Sequence, residues 1–312
     1  MEDETGGNPM NEQKWVRSSL RHLAEKLNHE VSHTTLGRLL RDMDYALKVN
    51  VKRLTGPPHP DREAQFQHIQ AQKEAFLKAG LPVISVDSKK KELIGNFKNP
   101  GRQWRQEAES VNEHDFRQDA LGKAVPYGIY NLNHNLGYVY VGQSADTPQF
   151  AVEVIAAWWQ TMGCHLFPTA TKLLILADAG GSNGYRPRLW KQQLQELLAD
   201  HLGIEVTVSH YPTGASKWNP VEHRLFGPIS INWAGIPLRS FQAMLSLIRG
   251  TVNEAGLQVA AFLVDKVYEK GRKVSDEVMD SLNIERHATC PQWNYTIHPR
   301  PAVVSPCTGS HL

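Results

Sequence analysis

Two short apolar runs in this 312-residue sequence each stop at a carboxylate: Leu81-Pro82-Val83-Ile84-Ser85-Val86 at Asp87, and Leu173 to Ala177 at Asp178. Runs of this length and composition predict buried strands, and open α/β sheets bind ligands at the carboxyl ends of their strands. A third acid, Glu222, lies in Asn219-Pro220-Val221-Glu222, where Asn suits a helix N-cap, Pro the first turn, and Glu the start of the helix. Each acid also has a plain structural reading. An Asp after a strand commonly opens a turn, and Asn followed three residues later by Glu is the pattern of a capping box, in which the Glu only reaches back to a backbone N–H. Convergence favours chemistry: the strands ending in Asp87 and Asp178 are expected to be central and adjacent, and the Glu222 helix follows the last strand, so all three acids meet at one sheet edge. Oxygen-only ligands suit Mg²⁺ or Mn²⁺, and three carboxylates can hold two such ions roughly 3.5–4 Å apart, the apparatus of phosphoryl transfer. Without a cation or a shared proton, such a cluster repels itself.

Other chemistries find less support. Gly180, Gly181 and Gly184 follow Asp178, but no Gly-Lys-Ser/Thr completes a phosphate loop and the spacing is not a dinucleotide fingerprint. His287, Cys290 and His298 supply only three zinc-type ligands at irregular spacing. The cysteines, Cys164, Cys290 and Cys307, are odd in number and far apart, so no disulfide framework is indicated. No apolar run nears the roughly 18 residues that span a bilayer, and the acidic start lacks a signal pattern, so a soluble cytoplasmic protein without a membrane partner is expected. With 41% hydrophobic residues the chain can bury a sizeable core, and a net charge of +2 means that any basic surface must be local.

The elements that position the acids follow from periodicity. Residues 1–13 are polar and read as a flexible N-terminus. Residues 14–56 read as a helix-turn-helix: Leu20, Leu23, Ala24 and Leu27 keep one apolar stripe, and Leu36, Leu39, Leu40 and Met43 another after Ser32 as N-cap. From Met10 to Gly56 nine Lys and Arg stand against five acids, and the second helix would offer Thr34, Arg38 and Arg41 to a DNA groove. Residues 57–80 read as a linker and connecting helix. From 81 to 285 the order is strand, strand, strand, helix, strand, helix, strand, helix, with a hairpin at Asn133–Leu136 between the second and third strands. That order predicts an α/β fold built on a mixed five-stranded sheet with helices on both faces. The long polar connection 92–122 reads as functional or mobile, 239–256 and 275–282 as covering helices, and 286–312 as a C-terminal tail. Lys89, Lys90 and Lys91, with Lys98, Arg102 and Arg105 beyond, lie where phosphates would approach the acids. Lys217 would add a phosphate contact and Trp218 a stacking face, though a core role suits Trp218 better; Asn183 and His223 are nearby polar candidates.

The fragments VISVDSKKKELIGNF, LILADAGGSNG and SKWNPVEHRLF, with INWAGIPLRSF and CPQWNYTIHP further on, resemble the ISAzo-type insertion-sequence transposases, the Rhodopirellula transposase family, from about Lys14 to Pro299. The resemblance implies a ribonuclease-H-like catalytic fold of the DDE superfamily, two divalent ions, and DNA cleavage and strand transfer at element ends. Asp87, Asp178 and Glu222 match that family's catalytic and metal-binding acids. It further implies double-stranded DNA ends and target as partners, a homo-oligomer in the DNA complex, and a nucleoid-associated bacterial protein. Family members carry more sequence upstream of the point matching residues 2–14, so this chain reads as one that starts late. Two rival readings are a non-catalytic helix-turn-helix DNA binder derived from a transposase and a nuclease of the same fold.

Overall fold

Residues 5–7, 14–16, 19–27, 31–46, 59–215 and 218–301 are described by a computed structural model. The chain divides into two compact units, Met1–Gly56 and Pro57–Leu312. In the first, β1 (Thr5–Gly7) pairs antiparallel with β2 (Lys14–Val16), so part of the segment expected to be a loose end forms a strand held by backbone bonds. Helices α1 (Leu20–Lys26) and α2 (His33–Asp42) follow, and the Ser32 hydroxyl caps α2 by accepting from Thr35 N–H at 3.2 Å. The expected stripe of α2 is only partly covered: Leu39 and Met43 are 45% and 65% exposed.

The second unit is organised by one mixed sheet. Its five expected strands are present: β3 (Val83–Ser88), β5 (Gly122–Asn131), β6 (Leu136–Gly142), β7 (Lys172–Ala177) and β8 (Glu205–His210). They lie in the order β6-β5-β3-β7-β8, antiparallel from β6 to β3 and parallel from β3 to β8. That arrangement is the ribonuclease-H-like fold. Further strands extend it: β4 (Glu92–Ile94) on the start of β5, β9 (Gln258–Val264) parallel to β6, and β10 (Ile284–Arg286) with β11 (Asn294–Ile297) beyond β8. β9 falls just beyond a stretch read as helix to residue 256; the helix there is only Phe241–Arg249. Residues 286–312, read as a tail, supply β11 to the sheet. Four residues flanked by prolines are too short for periodicity to register, yet β8 offered an unpaired edge that β11 satisfies.

Side-chain alternation sorts the core into layers. Ile84, Val86, Leu173, Ile175, Ala177, Val206 and Val208 face one way, against helix Pro148–Trp158, which continues through a π-helical turn to Leu166, and against the 188–200 helix. Thr147 caps the first of these, its hydroxyl accepting from Phe150 N–H at 3.1 Å. The other face is covered in two parts. Helix α3 (Arg62–Lys78), expected to be only a connection, packs its Ile69 and Phe66 on Val83, Leu174 and Leu176. The 222–232 and 241–249 helices cover β5, β6 and β9 through Leu225, Phe226, Met244 and Ile248. Two glycines permit this closeness: a Cβ on Gly128 would lie 2.6 Å from the Phe226 ring, and one on Gly137 would lie 2.3 Å from Leu225 Cδ1. Among the described residues no helix is long and apolar enough to cross a membrane.

Candidate active site

The ladder between β3 and β7 sets Val86 opposite Ala177, so the next residues, Asp87 and Asp178, lie side by side at the carboxyl ends of adjacent parallel strands. Alternation turns Asp87, with Val83 and Ser85, away from the layer that holds Ile84 and Val86 and towards the face of the Glu222 helix. Opposite Asp87 on β5 stands Gly128, the residue on which Phe226 packs, which brings the first turn of that helix down beside the two acids.

The three carboxylates sense one another. Burial, then Asp178, then Glu222 push the Asp87 carboxyl up to about 8, against the Ser88 N–H that donates to its Oδ1 at 2.7 Å. A side-chain hydrogen bond with Glu222 also raises Asp87. Burial raises Asp178 to about 6, opposed by the Asn219 amide and assisted by Glu222. Among the described residues no group of three or more His, Cys, Asp or Glu side chains is placed so as to hold a metal ion. Charge from neighbouring carboxylates raises both Asp87 and Asp178, and a proton on Asp87 relieves part of the repulsion among the acids. The donor set, oxygen-only and over-rich in negative charge for its burial, fits a hard divalent cation.

Asn219 is not the simple helix cap its position suggested. Fully buried, it donates through Nδ2 to Asp178 Oδ1 at 3.1 Å and to the Val86 carbonyl at 3.3 Å, and its Oδ1 accepts from Ser85 Oγ at 2.5 Å. Ser85 Oγ accepts in turn from Val221 N–H at 2.9 Å. The capping-box alternative does not describe Asn219, whose side chain is spent on the strands, and Glu222 interacts with Asp87. Ser85 was findable, since it lies two residues before Asp87 and hence on the same face.

The expected DNA-contacting residues are scattered. Lys89 turns inward: its ammonium sits 4.9 Å above the Trp233 ring and 3.6 Å from Glu92, and burial lowers its pKa against the pull of Glu92 and Glu222. Lys90 is exposed, and Lys91 lies 4.0 Å from Asp146. Trp218 is half-exposed with its ring edge to Phe66, while Lys217 lies outside the described residues. In the other unit Arg38 and Arg41 are exposed on α2, and the Thr34 hydroxyl bonds that of Ser32. Trp104, fully exposed beside Arg102 and Arg105, carried no periodic signal. Asn183 is buried, and neither atom of its amide group meets a hydrogen-bonding partner among the described residues. His287 and His298 are engaged elsewhere, with His68 and with Glu205 and Glu285 respectively.

Comparison with solved structures finds the Mos1 transposase paired-end complex with left transposon end, at 16% identity over 72% of this chain and 64% of that chain, TM-score 0.44. A pre-cleavage Mos1 transpososome is similar at 16% identity over the same shares, TM-score 0.45, as is the Mos1 mariner paired end complex with Mn, at 17% and 0.42. This chain thus spans a little under two thirds of the length of those chains, and no curated protein matches it. The Rhodopirellula transposase DDE domain model matches residues 1–299, and the chain belongs to that family.

Proposed function

We propose that this protein cuts and joins DNA strands at the ends of an insertion sequence, with Asp87, Asp178 and Glu222 as its catalytic acids. What supports the reading is the register that sets Asp87 and Asp178 side by side at the ends of β3 and β7, the packing of the 222–232 helix on Gly128 beside them, and the upward pKa shifts of Asp87 and Asp178 from burial and from neighbouring carboxylates. Asp87, adjacent to both other acids, would be shared between two divalent ions, with Asp178 and Glu222 each securing one. Bound there, Mg²⁺ or Mn²⁺ would supply activation of an attacking oxygen and stabilisation of the leaving oxygen. The chain's own part is to hold the acids still. Asn219 fixes Asp178 from the helix side, Ser88 N–H fixes Asp87, and Lys89 sets a half-buried positive charge near Glu222. Lys90 and the exposed Arg38 and Arg41 are available to DNA phosphates, and joining two ends calls for at least two copies of the chain.

The test uses duplex DNA carrying the element's ends, a labelled target duplex, and Mg²⁺ or Mn²⁺. Strand transfer into the target by the wild type, lost in Asp87→Asn, Asp178→Asn and Glu222→Gln with DNA binding retained, is the expected result. Cleavage without joining would favour a nuclease, and binding without any cleavage a non-catalytic DNA binder.

A further inference from the structure

The sheet face opposite the carboxylates holds a buried polar chain that apolar side chains would have filled more cheaply. Trp190, His210 and Tyr295 come from the 188–200 helix, the end of β8 and β11, and all three are fully buried. Trp190 Nε1 lies 2.9 Å from Tyr295 Oη, Tyr295 Oη lies 3.3 Å from His210 Nε2, and His210 Nδ1 lies 3.0 Å from the main-chain carbonyl of Asp178. Donor inventory gives the chain a single direction. Indole nitrogen only donates, so Tyr295 accepts from Trp190. The Asp178 carbonyl only accepts, so Nδ1 of the neutral ring carries the proton and donates it there, and Nε2 accepts from Tyr295 Oη.

That carbonyl needs the bond. β7 ends at Ala177, whose carbonyl takes the last inter-strand bond, from Tyr211 N–H at 2.8 Å, and beyond Asp178 the chain enters Gly180, Gly181 and Gly184, which do nothing to stiffen it. Resting on the reading of Asp178 as a catalytic acid, we infer that Trp190, Tyr295 and His210 form a positioning relay that locks the Asp178 peptide from behind the sheet, so that Asn219 and a metal ion meet its carboxylate in one orientation. The C-terminal strand is therefore part of the active-site scaffold, although it contributes nothing that touches substrate. Outer partners of this kind typically change metal affinity by about 10–100-fold, and an effect passed through the backbone belongs at the lower end.

The experiment measures Mn²⁺ binding by electron paramagnetic resonance and the His210 ring tautomer by ¹⁵N NMR, in full-length wild type, Tyr295→Phe, His210→Leu, His210→Asn and Asp178→Asn. Expected are a wild-type imidazole protonated on Nδ1, a mixture of tautomers in Tyr295→Phe, and Mn²⁺ affinity about tenfold weaker in Tyr295→Phe and His210→Leu. His210→Asn, whose amide N–H can take the place of Nδ1, should recover most of that affinity. Should His210→Leu fail to fold, Tyr295→Phe, which deletes one oxygen, decides the matter. Wild-type affinity in Tyr295→Phe, or an imidazole protonated on Nε2 in the wild type, overturns the relay while Asp178→Asn still loses Mn²⁺. Wild-type affinity in Asp178→Asn instead overturns the assignment of Asp178 to the metal site, and the relay with it.

Discussion

Replacing Asp87 by Asn should make the metal-free protein more stable while abolishing its chemistry. The Asp87 carboxyl titrates near 8 in the fold, raised by burial first and by Asp178 second. In an unfolded chain the same group titrates near ~3.9. A folded pKa above the unfolded one gives stability that is fully present below the unfolded value and lost as pH rises through the folded one. At pH 7 roughly three pH units of that loss have accrued, at ~1.4 kcal/mol each, or about 4 kcal/mol in all. An amide stays neutral in both states and escapes this loss, but its NH₂ fits the Glu222 contact less well than a carboxyl proton. A net gain on the order of 2–4 kcal/mol remains. Urea unfolding at pH 7 in EDTA measures it, and repetition in excess Mg²⁺ should narrow or reverse the gap, because only the wild type can bind through Asp87. An Asp87→Asn variant that is less stable than wild type in EDTA would refute the idea that burial and the neighbouring acids force Asp87 to keep a proton at a cost in stability.

Three further outcomes are expected. Asn219→Ala removes the donor to Asp178 and the acceptor for Ser85; it should lower stability by about 1–3 kcal/mol and cleavage at least about tenfold, read by urea unfolding and a strand-cleavage assay. Gly128→Ala sets a methyl group against Phe226 and should lift the Glu222 helix from the sheet, costing about 1–3 kcal/mol and weakening Mn²⁺ binding; unchanged binding would mean that the helix is not held by this contact. His210, which burial lowers to about 3, stays neutral in the fold while the unfolded chain binds a proton below ~6.5, so stability from this group falls as pH drops through 6.5 towards 3. Between pH 7 and 5 it should contribute a loss of about 2 kcal/mol, taken as the difference between wild type and His210→Asn so that His68 and His287, also lowered by burial, cancel.

The central sheet was legible because its strands announce themselves locally. Leu173 to Ala177 is uniformly apolar, Asn133–Leu136 punctuates a hairpin, and the Thr147-Pro148 cap marks where a helix begins. The strands that escaped notice are those whose existence depends on a neighbour. β11 is four residues long and forms because β8 presents a free edge, and β4 pairs only the first residues of β5. Helix α3 was legible as a helix but not as part of this unit. Its Gln65 is buried because it donates to the His210 carbonyl at 2.8 Å and to Asn294 Oδ1 at 2.9 Å, partners 145 and 229 residues away. The acids were legible as a set only through topology, since each alone reads equally well as a turn or a cap.

Asn219 shows why a short motif misleads when it is read one level at a time. As a local signal, Asn-Pro-Val-Glu describes a helix start, and the helix does start there. The same side chain has a larger task available once β3 and β7 lie beneath it, because buried carbonyl, hydroxyl and carboxylate oxygens need partners more than a solvated helix end does. Asn219 bridges the backbone of β3 and the carboxylate after β7, leaving Glu222 unspent as a cap and directed at Asp87. Position in the chain made the residue a cap, and the fold converted it into a brace between β3 and the Asp178 carboxylate. Losing the brace should therefore damage cleavage as well as stability, whereas losing a cap alone would cost stability only.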